Sequence, residues 1–251
     1  MCKFYSAIVM KNGDLLHNEN LMSHEDIIRL FNINDSQVNC DKFVRVEFTP
    51  DLESDLPDIE KYKLKVDEDS APKWFEKHRE YVTEQLKNFV KKRIILSDQK
   101  ILTGGLYVVK NCVIDKLIIA TVVYLQGTVQ KVWDGGTVQK VRGGGTVQEV
   151  RDGGTVQEVW DGGTVQKVWG GGTVQEVRGG GTVQEVRDGG TVQKVWGGGT
   201  VQKVRGGGTV QEVRGGGTVQ EVRDGGTVQE VRGGGTVQEV RGGGTVNGVK
   251  K

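Results

Sequence analysis

The sequence predicts a small α+β domain followed by a β-solenoid. Three observations carry that prediction: a strict nine-residue period from Gly127 onward, two valines in every unit of that period, and an ordinary globular composition before it. Three segments follow: an α+β head over residues 1–104, degenerate capping repeats over 105–126, and the repeat array over 127–251.

In the head, Phe4–Met10 reads as a strand, Asn12-Gly13 as a turn and Asp14–His17 as a second strand. Ser23 is placed to cap a helix through Ile27, Ile28, Leu30 and Phe31. Phe43, Val44, Val46 and Phe48 stand among charges across Lys42–Phe48, and Tyr62–Val66 repeats that strand pattern. Pro72 opens the strongest helical pattern, in which Trp74, Phe75, His78, Tyr81, Val82, Leu86, Phe89 and Val90 keep helical spacing. The expected order is β-β-α-β-β-α, with the long helix on the sheet.

Residues 105–126 read as worn repeats. Cys112–Leu117 aligns with Gly-Thr-Val-Gln-Lys-Val, and Ala120–Leu125 does so again, keeping Ile114, Leu117, Val122 and Leu125 at the inward positions. A more apolar terminal repeat suits a cap.

The array unit is Gly-Thr-Val-Gln-(Lys/Glu)-Val-(Trp/Arg)-(Asp/Gly)-Gly, in fourteen copies whose last is degenerate. The variable alternatives can each differ by a single base, so the array looks like a recent tandem expansion. Residues three apart on one straight strand face opposite sides. Two invariant valines at that spacing therefore require a corner between Gln and Lys/Glu if both face inward, with glycines supplying the tight turn. Nine residues enclose no core; two units give an 18-residue, four-sided coil. The charges support that period. At a spacing of 18 residues, eight of eleven neighbours at the Lys/Glu position are opposite in sign, against five of twelve at nine and four of ten at 27. At the same spacing Trp falls beside Arg and never beside Trp, a cation–π arrangement worth roughly 0.5–1 kcal/mol per exposed contact. Seven coils would make a rod of about 34 Å at roughly 4.8 Å per rung. An antiparallel meander, with each Thr-to-Arg segment a strand and the glycines hairpin turns, is the alternative arrangement.

Composition excludes more than it assigns. A net charge of +1 gives no pull toward nucleic acid or an anionic membrane, and no apolar run is long enough to span a bilayer. The first residues lack a signal-peptide pattern, and Cys2, Cys40 and Cys112 are scattered without metal spacing, which points to a cytoplasmic protein with free thiols. His17, His24 and His78 carry no metal spacing, and His24-Glu25-Asp26 reads as a solvated first turn. The acidic stretch Asp51–Asp58, with Glu53 and Asp55, reads as a solvated loop rather than a cation site. A calcium-binding nonapeptide needs an Asp in every unit, and here only Asp134, Asp152, Asp161, Asp188 and Asp224 supply one. No phosphate loop and no nucleophile–base pair is visible, so neither a cofactor nor an enzymatic activity is expected.

Two surface features remain. Thr and Gln form parallel outward rows, and regular threonine rows on flat solenoids resemble the ice-binding faces of insect-type antifreeze proteins. Trp133, Trp160, Trp169 and Trp196 are read as exposed aromatic rows, candidates for a binding surface. The layout as a whole resembles uncharacterised proteins of bacteria and their phages. Those join a short α+β head with a Pro-x-Trp-Phe helix start, here Pro72-Lys73-Trp74-Phe75, to Gly-Thr-Val-(Gln/Glu)-x-Val arrays. The resemblance spans nearly the full length and implies no established activity and no functional residue. The expectation is a non-enzymatic binding or scaffold protein with a protein partner, whose rod is a spacer, multivalent surface or assembly element. Self-association through the solenoid end would be guarded only by Lys250 and Lys251. A phage-type inhibitor that occludes a host protein and an ice-binding protein are the alternatives.

Overall fold

A computed structural model describes residues 4–35, 42–68 and 71–250; Cys2 and Cys40 lie outside the described residues. The chain divides into two compact units, Met1–Ile95 and Leu96–Lys251.

The first unit has the expected element order. Strands β1 (Ser6–Met10), β2 (Leu15–Leu16), β3 (Phe43–Thr49) and β4 (Lys63–Val66) form an antiparallel sheet in the order β2-β1-β3-β4. Helix α1 (His24–Leu30) precedes β3, and helix α2 (Arg79–Lys91) follows β4. Strand β1 is buried on both faces because both are covered. Ile8 and Phe43 pack with Ile27 and Ile28 of α1, while α2 buries Val82, Leu86 and Val90 and lies against β3. The Ser23 hydroxyl caps α1 by accepting from the Asp26 N–H at 3.4 Å, and Asn32, at φ 51°, takes the left-handed turn just past its end.

Helix α2 starts later than the sequence implies. Phe75 is fully buried, and the Phe75 N–H bond to the Pro72 carbonyl and the His78 N–H bond to the Phe75 carbonyl draw residues 75–77 into a 3-10 turn. Regular bonding begins with the Val82 N–H donating to the His78 carbonyl at 2.9 Å. Anchoring Phe75 in the core thus takes precedence over extending the helix back to Pro72.

The second unit is a parallel β-solenoid of about eight turns with 18-residue coils, so the antiparallel meander does not form. Thr146, Val147, Glu149 and Val150 sit directly over Thr164, Val165, Lys167 and Val168, and the same register recurs along the array. In each rung the pairing skips Gln, where the strand bends. That bend lets both valines face inward, and from Val129 to Val228 all of them are fully buried.

The turns show why the glycines are there. In Arg151–Gly154, Asp152 and Gly153 have φ of 49° and 78°, and the Gly154 N–H bonds back to the Arg151 carbonyl at 2.8 Å. That is a type I′ pattern. All five array aspartates occupy this left-handed position, which Asp tolerates and Gly prefers, so the Asp/Gly variation is turn chemistry. The glycine after the turn is constrained differently. A Cβ at any of Gly136 through Gly244 in this position would lie 2.1 to 2.4 Å from a carbonyl oxygen of the coil before it.

The worn repeats stack as the alignment implies: Ile114 over Val129, Leu117 over Val132, Val122 over Val138 and Leu125 over Val141, all fully buried. Their offsets are 15 and 16 residues because long strands, Leu106–Ile118 and Thr121–Trp133, replace strand–turn–strand units. The solenoid begins before residue 105. Gln99–Thr103 already pairs in parallel with Ile114–Ile118, setting Gln99 beside Ile114 and Leu102 beside Leu117. A glutamine in a valine register hides that repeat from a hydrophobic pattern. At the far end Val240 and Val249 are 48% and 71% exposed.

Gly154→Ala is expected to destabilise the rod by at least about 2 kcal/mol, whereas Asp152→Gly should stay within about 0.5 kcal/mol of the parent. Thermal melts followed by circular dichroism check both; equal effects would mean that turn conformation, not coil-to-coil contact, governs the glycine.

Candidate functional site

The array's outer columns are set by the register. Along one side Trp133, Arg151, Trp169 and Arg187 succeed one another, and along the other Arg142, Trp160, Arg178, Trp196 and Arg214 do so, with Arg142 also 4.7 Å from the buried Tyr124 ring. Arg151 lies 4.6 Å from the Trp133 ring centre and 5.0 Å from that of Trp169; Arg178 lies 4.8 Å from Trp160 and 5.7 Å from Trp196. Lys116, from the worn repeats, covers Trp133 at 5.1 Å.

The four tryptophans are therefore not the exposed rows that the sequence suggested. They are half-buried, their ring faces taken up by cations above and below. All four indole nitrogens are buried without a hydrogen-bond partner. An orphaned buried donor costs about 1–3 kcal/mol, which opposes the cation–π gain. What these columns offer outward is the ring edges and the paired ions.

The arginines from Arg151 to Arg241 each pair with a nearby carboxylate. Arg178 reaches Glu158 at 2.8 Å, Lys194 lies 3.8 Å from Glu176, and Arg205 bonds Glu185. Three rungs of the array stack Glu on Glu, Glu158 with Glu176, Glu212 with Glu230 and Glu221 with Glu239, and each has arginines beside it: Arg178, Arg232 and Arg223 among others. At the corners, Gln and Lys/Glu side chains diverge and leave troughs. One of about 280 Å³ runs from Gln157 to Lys194, and another of about 400 Å³ continues from Gln193 to Gly248.

The head has a cleft of about 340 Å³, lined by His17 together with Tyr81, Gln85, Asn88, Phe89 and Lys92. The Tyr5 hydroxyl donates to the Asn18 carbonyl at 2.9 Å, so its oxygen accepts from His17 Nδ1 at 3.2 Å. That assigns the proton of the neutral ring to Nδ1 and leaves Nε2 as an acceptor. Burial first, then the nearby Arg93 guanidinium, hold the His17 pKa below its usual value. Burial likewise pushes the Tyr5 hydroxyl well above the usual tyrosine range. Its only trace in the sequence is that Tyr81, Gln85, Asn88 and Lys92 recur at helical spacing as a polar stripe on α2.

The other candidates resolve as structure. His24 is buried, correcting the solvated reading. Nε2 donates to the Val46 carbonyl at 3.0 Å and Nδ1 faces Asp67 at 3.3 Å, while Glu25 and Asp26 stay exposed. Asp51 accepts from Lys63 and Lys65, both at 2.7 Å, and these bonds hold its carboxyl down at about 2. His78 lies over Gly13, where an added Cβ would meet its ring at 2.9 Å. Cys112 is buried and forms no disulfide. Among the described residues no three His, Cys, Asp or Glu side chains cluster to hold a metal, and no helix is long and apolar enough to cross a membrane. Compared with protein families, curated proteins and solved structures, the chain has no significant match. Its class is set by fold alone: an α+β head with a parallel β-solenoid.

Trp169→Phe keeps a ring between Arg151 and Arg187 and removes the orphaned N–H. It should cost less than half of what Trp169→Ala costs, the latter being about 1–3 kcal/mol, as read by melting. For His17 the folded-state pKa is depressed, so the unfolded chain binds the proton more readily. Stability present above about pH 6.5 is then lost as pH falls through the lower folded value. His17→Phe should remove that slope from melts between pH 7.5 and 5; an unchanged slope assigns it elsewhere.

Proposed function

We propose that the protein is a non-enzymatic binding or scaffold protein. Its rod acts as a rigid spacer and multivalent surface, and its head engages a protein partner. The supporting observation is the unbroken 18-residue register, which repeats each outward chemistry as a straight column over a valine core. Such a rod changes length by whole coils without new chemistry. Exposed Val240 and Val249 make the far end a second surface for association. Within this reading the head could serve a phage-type inhibitor as readily as a cellular scaffold. Ice binding has less support, because only two of the coil's four sides carry a threonine column and each carries one, as Thr146 over Thr164 and Thr155 over Thr173 show.

The test uses the full chain and two deletions in partner capture from cell extract. Removing Gly208–Gly225, one coil, sets Lys194 beside Glu230 and Lys203 beside Glu239, so the shorter rod should fold and still capture the head's partner. Removing Gly172–Gly180, one unit, sets Glu158 beside Glu185, Lys167 beside Lys194 and Trp169 beside Trp196. That rod should melt lower. Loss of capture on the one-coil deletion would refute the spacer role.

A further inference from the structure

The trough at the Gln corner is a surface whose partner can be read from its chemistry. Five carboxamides, Gln157, Gln175, Gln193, Gln211 and Gln229, line it at successive rungs, about 4.8 Å apart. None of the five has a hydrogen-bond partner in the protein. Each carries two donors and an acceptor left to an outside ligand. The neighbouring carboxylates keep acceptor capacity, but their charge is already balanced. Glu158 has Arg178 at 2.8 Å, Glu176 has Lys194 at 3.8 Å, Glu212 has Arg214 and Arg232 at 3.9 Å, and Glu230 has Arg232 at 2.5 Å.

Three occupants can be compared on those facts. A nucleic acid needs a surplus of cations, and the trough has none. An extended peptide gains most of its affinity by adding a strand to an open sheet edge, whereas along the trough every strand is paired above and below. An uncharged chain of hydroxyls fits. Each hydroxyl both donates and accepts, matching a carboxamide, and a linear polymer can meet one rung after another.

We propose that this trough binds a neutral linear polysaccharide, with the Gln157–Gln229 column as its hydrogen-bonding track. The inference rests on the reading of the rod as a multivalent surface. The track exists because of the bend at Gln: the same corner that turns both valines inward opens the gap between the two outward columns.

The full-length protein is titrated calorimetrically with neutral cello-, xylo-, manno- and α-1,6-gluco-oligosaccharide series of two to six sugars, with heparin as a charged comparator. Binding to one neutral series, tightening with chain length, is expected, and heparin should not compete. The triple variant Gln157→Ala/Gln193→Ala/Gln229→Ala should lose about tenfold or more in affinity, since the contacts act together. Thr173→Ala/Thr191→Ala/Thr209→Ala, on the neighbouring column, should not change it. Circular dichroism establishes that both variants keep the solenoid. The one-coil deletion of Gly208–Gly225 removes the Gln211 rung and serves as a second reading if the triple variant misfolds; it should weaken the longest ligand most. No binding in any neutral series, affinity that stops rising at the disaccharide, or an unaffected triple variant would overturn the proposal. If sugars fail to bind while the one-coil deletion still captures the head's partner, the polysaccharide site alone is lost and the spacer reading stands.

Discussion

In every nine-residue unit one glycine lies so close to the coil before it that a methyl group has no place. At Gly154 a Cβ would sit 2.1 Å from the Val132 carbonyl oxygen, and the contact recurs down the rod. The approach lets the next residue, Thr155, donate to the Gly136 carbonyl at 3.0 Å, and Arg151 donate to the carbonyl of Val132 at 3.0 Å. The turns themselves are tied the same way, Asp152 N–H to the Gly170 carbonyl at 2.8 Å and Gly170 N–H to that of Asp188 at 2.8 Å. A coil with no play relative to its neighbour fixes which residue lies over which. The dry valine core, the cation–aromatic columns and the Gln track all follow from that single register.

Much of this was legible because the array states its periods twice. Inward valines give the nine-residue unit, and the alternation of Lys131, Glu149, Lys167 and Glu185 gives the 18-residue coil that the structure adopts. The worn repeats were legible for the same reason, since Ile114, Leu117, Val122 and Leu125 kept their apolar character. Legibility failed where a position is not set by burial. Gln99 occupies a valine register and hides the first rung. Trp169 looks like a surface aromatic until the arginines above and below it are placed. His24, flanked by acids, looks solvated, yet it is the first helical residue and points at the Val46 carbonyl. The head cleft depends on which residues of α2 meet His17, a contact across some seventy positions of sequence that no local pattern encodes.

The two halves of the molecule use polar groups in different ways. In the head, each buried polar side chain has a specific mate: Tyr5 with Asn18 and His17, Tyr62 with the Leu56 carbonyl at 2.8 Å, His24 with Val46. Such pairs fix one conformation and tolerate little substitution. On the rod the polar groups are outside, and their partners are whichever residues occupy adjacent rungs. A substitution in the head therefore breaks a named pair, whereas one on the rod changes a single rung of a column.

Generic columns also explain how an array could grow without unbalancing its charge. Of eight units with Glu, seven carry Arg two residues on, and of five with Lys, three carry Trp there. A Glu unit therefore brings its own counter-ion, as Arg187 to Glu185 at 3.6 Å and Arg223 to Glu221 at 3.6 Å show, and a Lys unit usually omits a second cation. Ten of the thirteen units lie within one charge of neutral; those of Lys140 with Arg142 and Lys203 with Arg205 carry +2, and that of Glu158 with Asp161 carries −2. Stacking Glu212 on Glu230, or Glu221 on Glu239, then adds little repulsion, because the opposing charges Arg214, Arg232, Arg223 and Arg241 arrive with the same units. Opposite-sign rungs fine-tune the stack, but near-neutral units are what permit almost any copy to follow almost any other. A sequence that duplicates in whole units thereby lengthens its core and its Gln track together, while the coil-to-coil contact at the glycine holds each new rung in register.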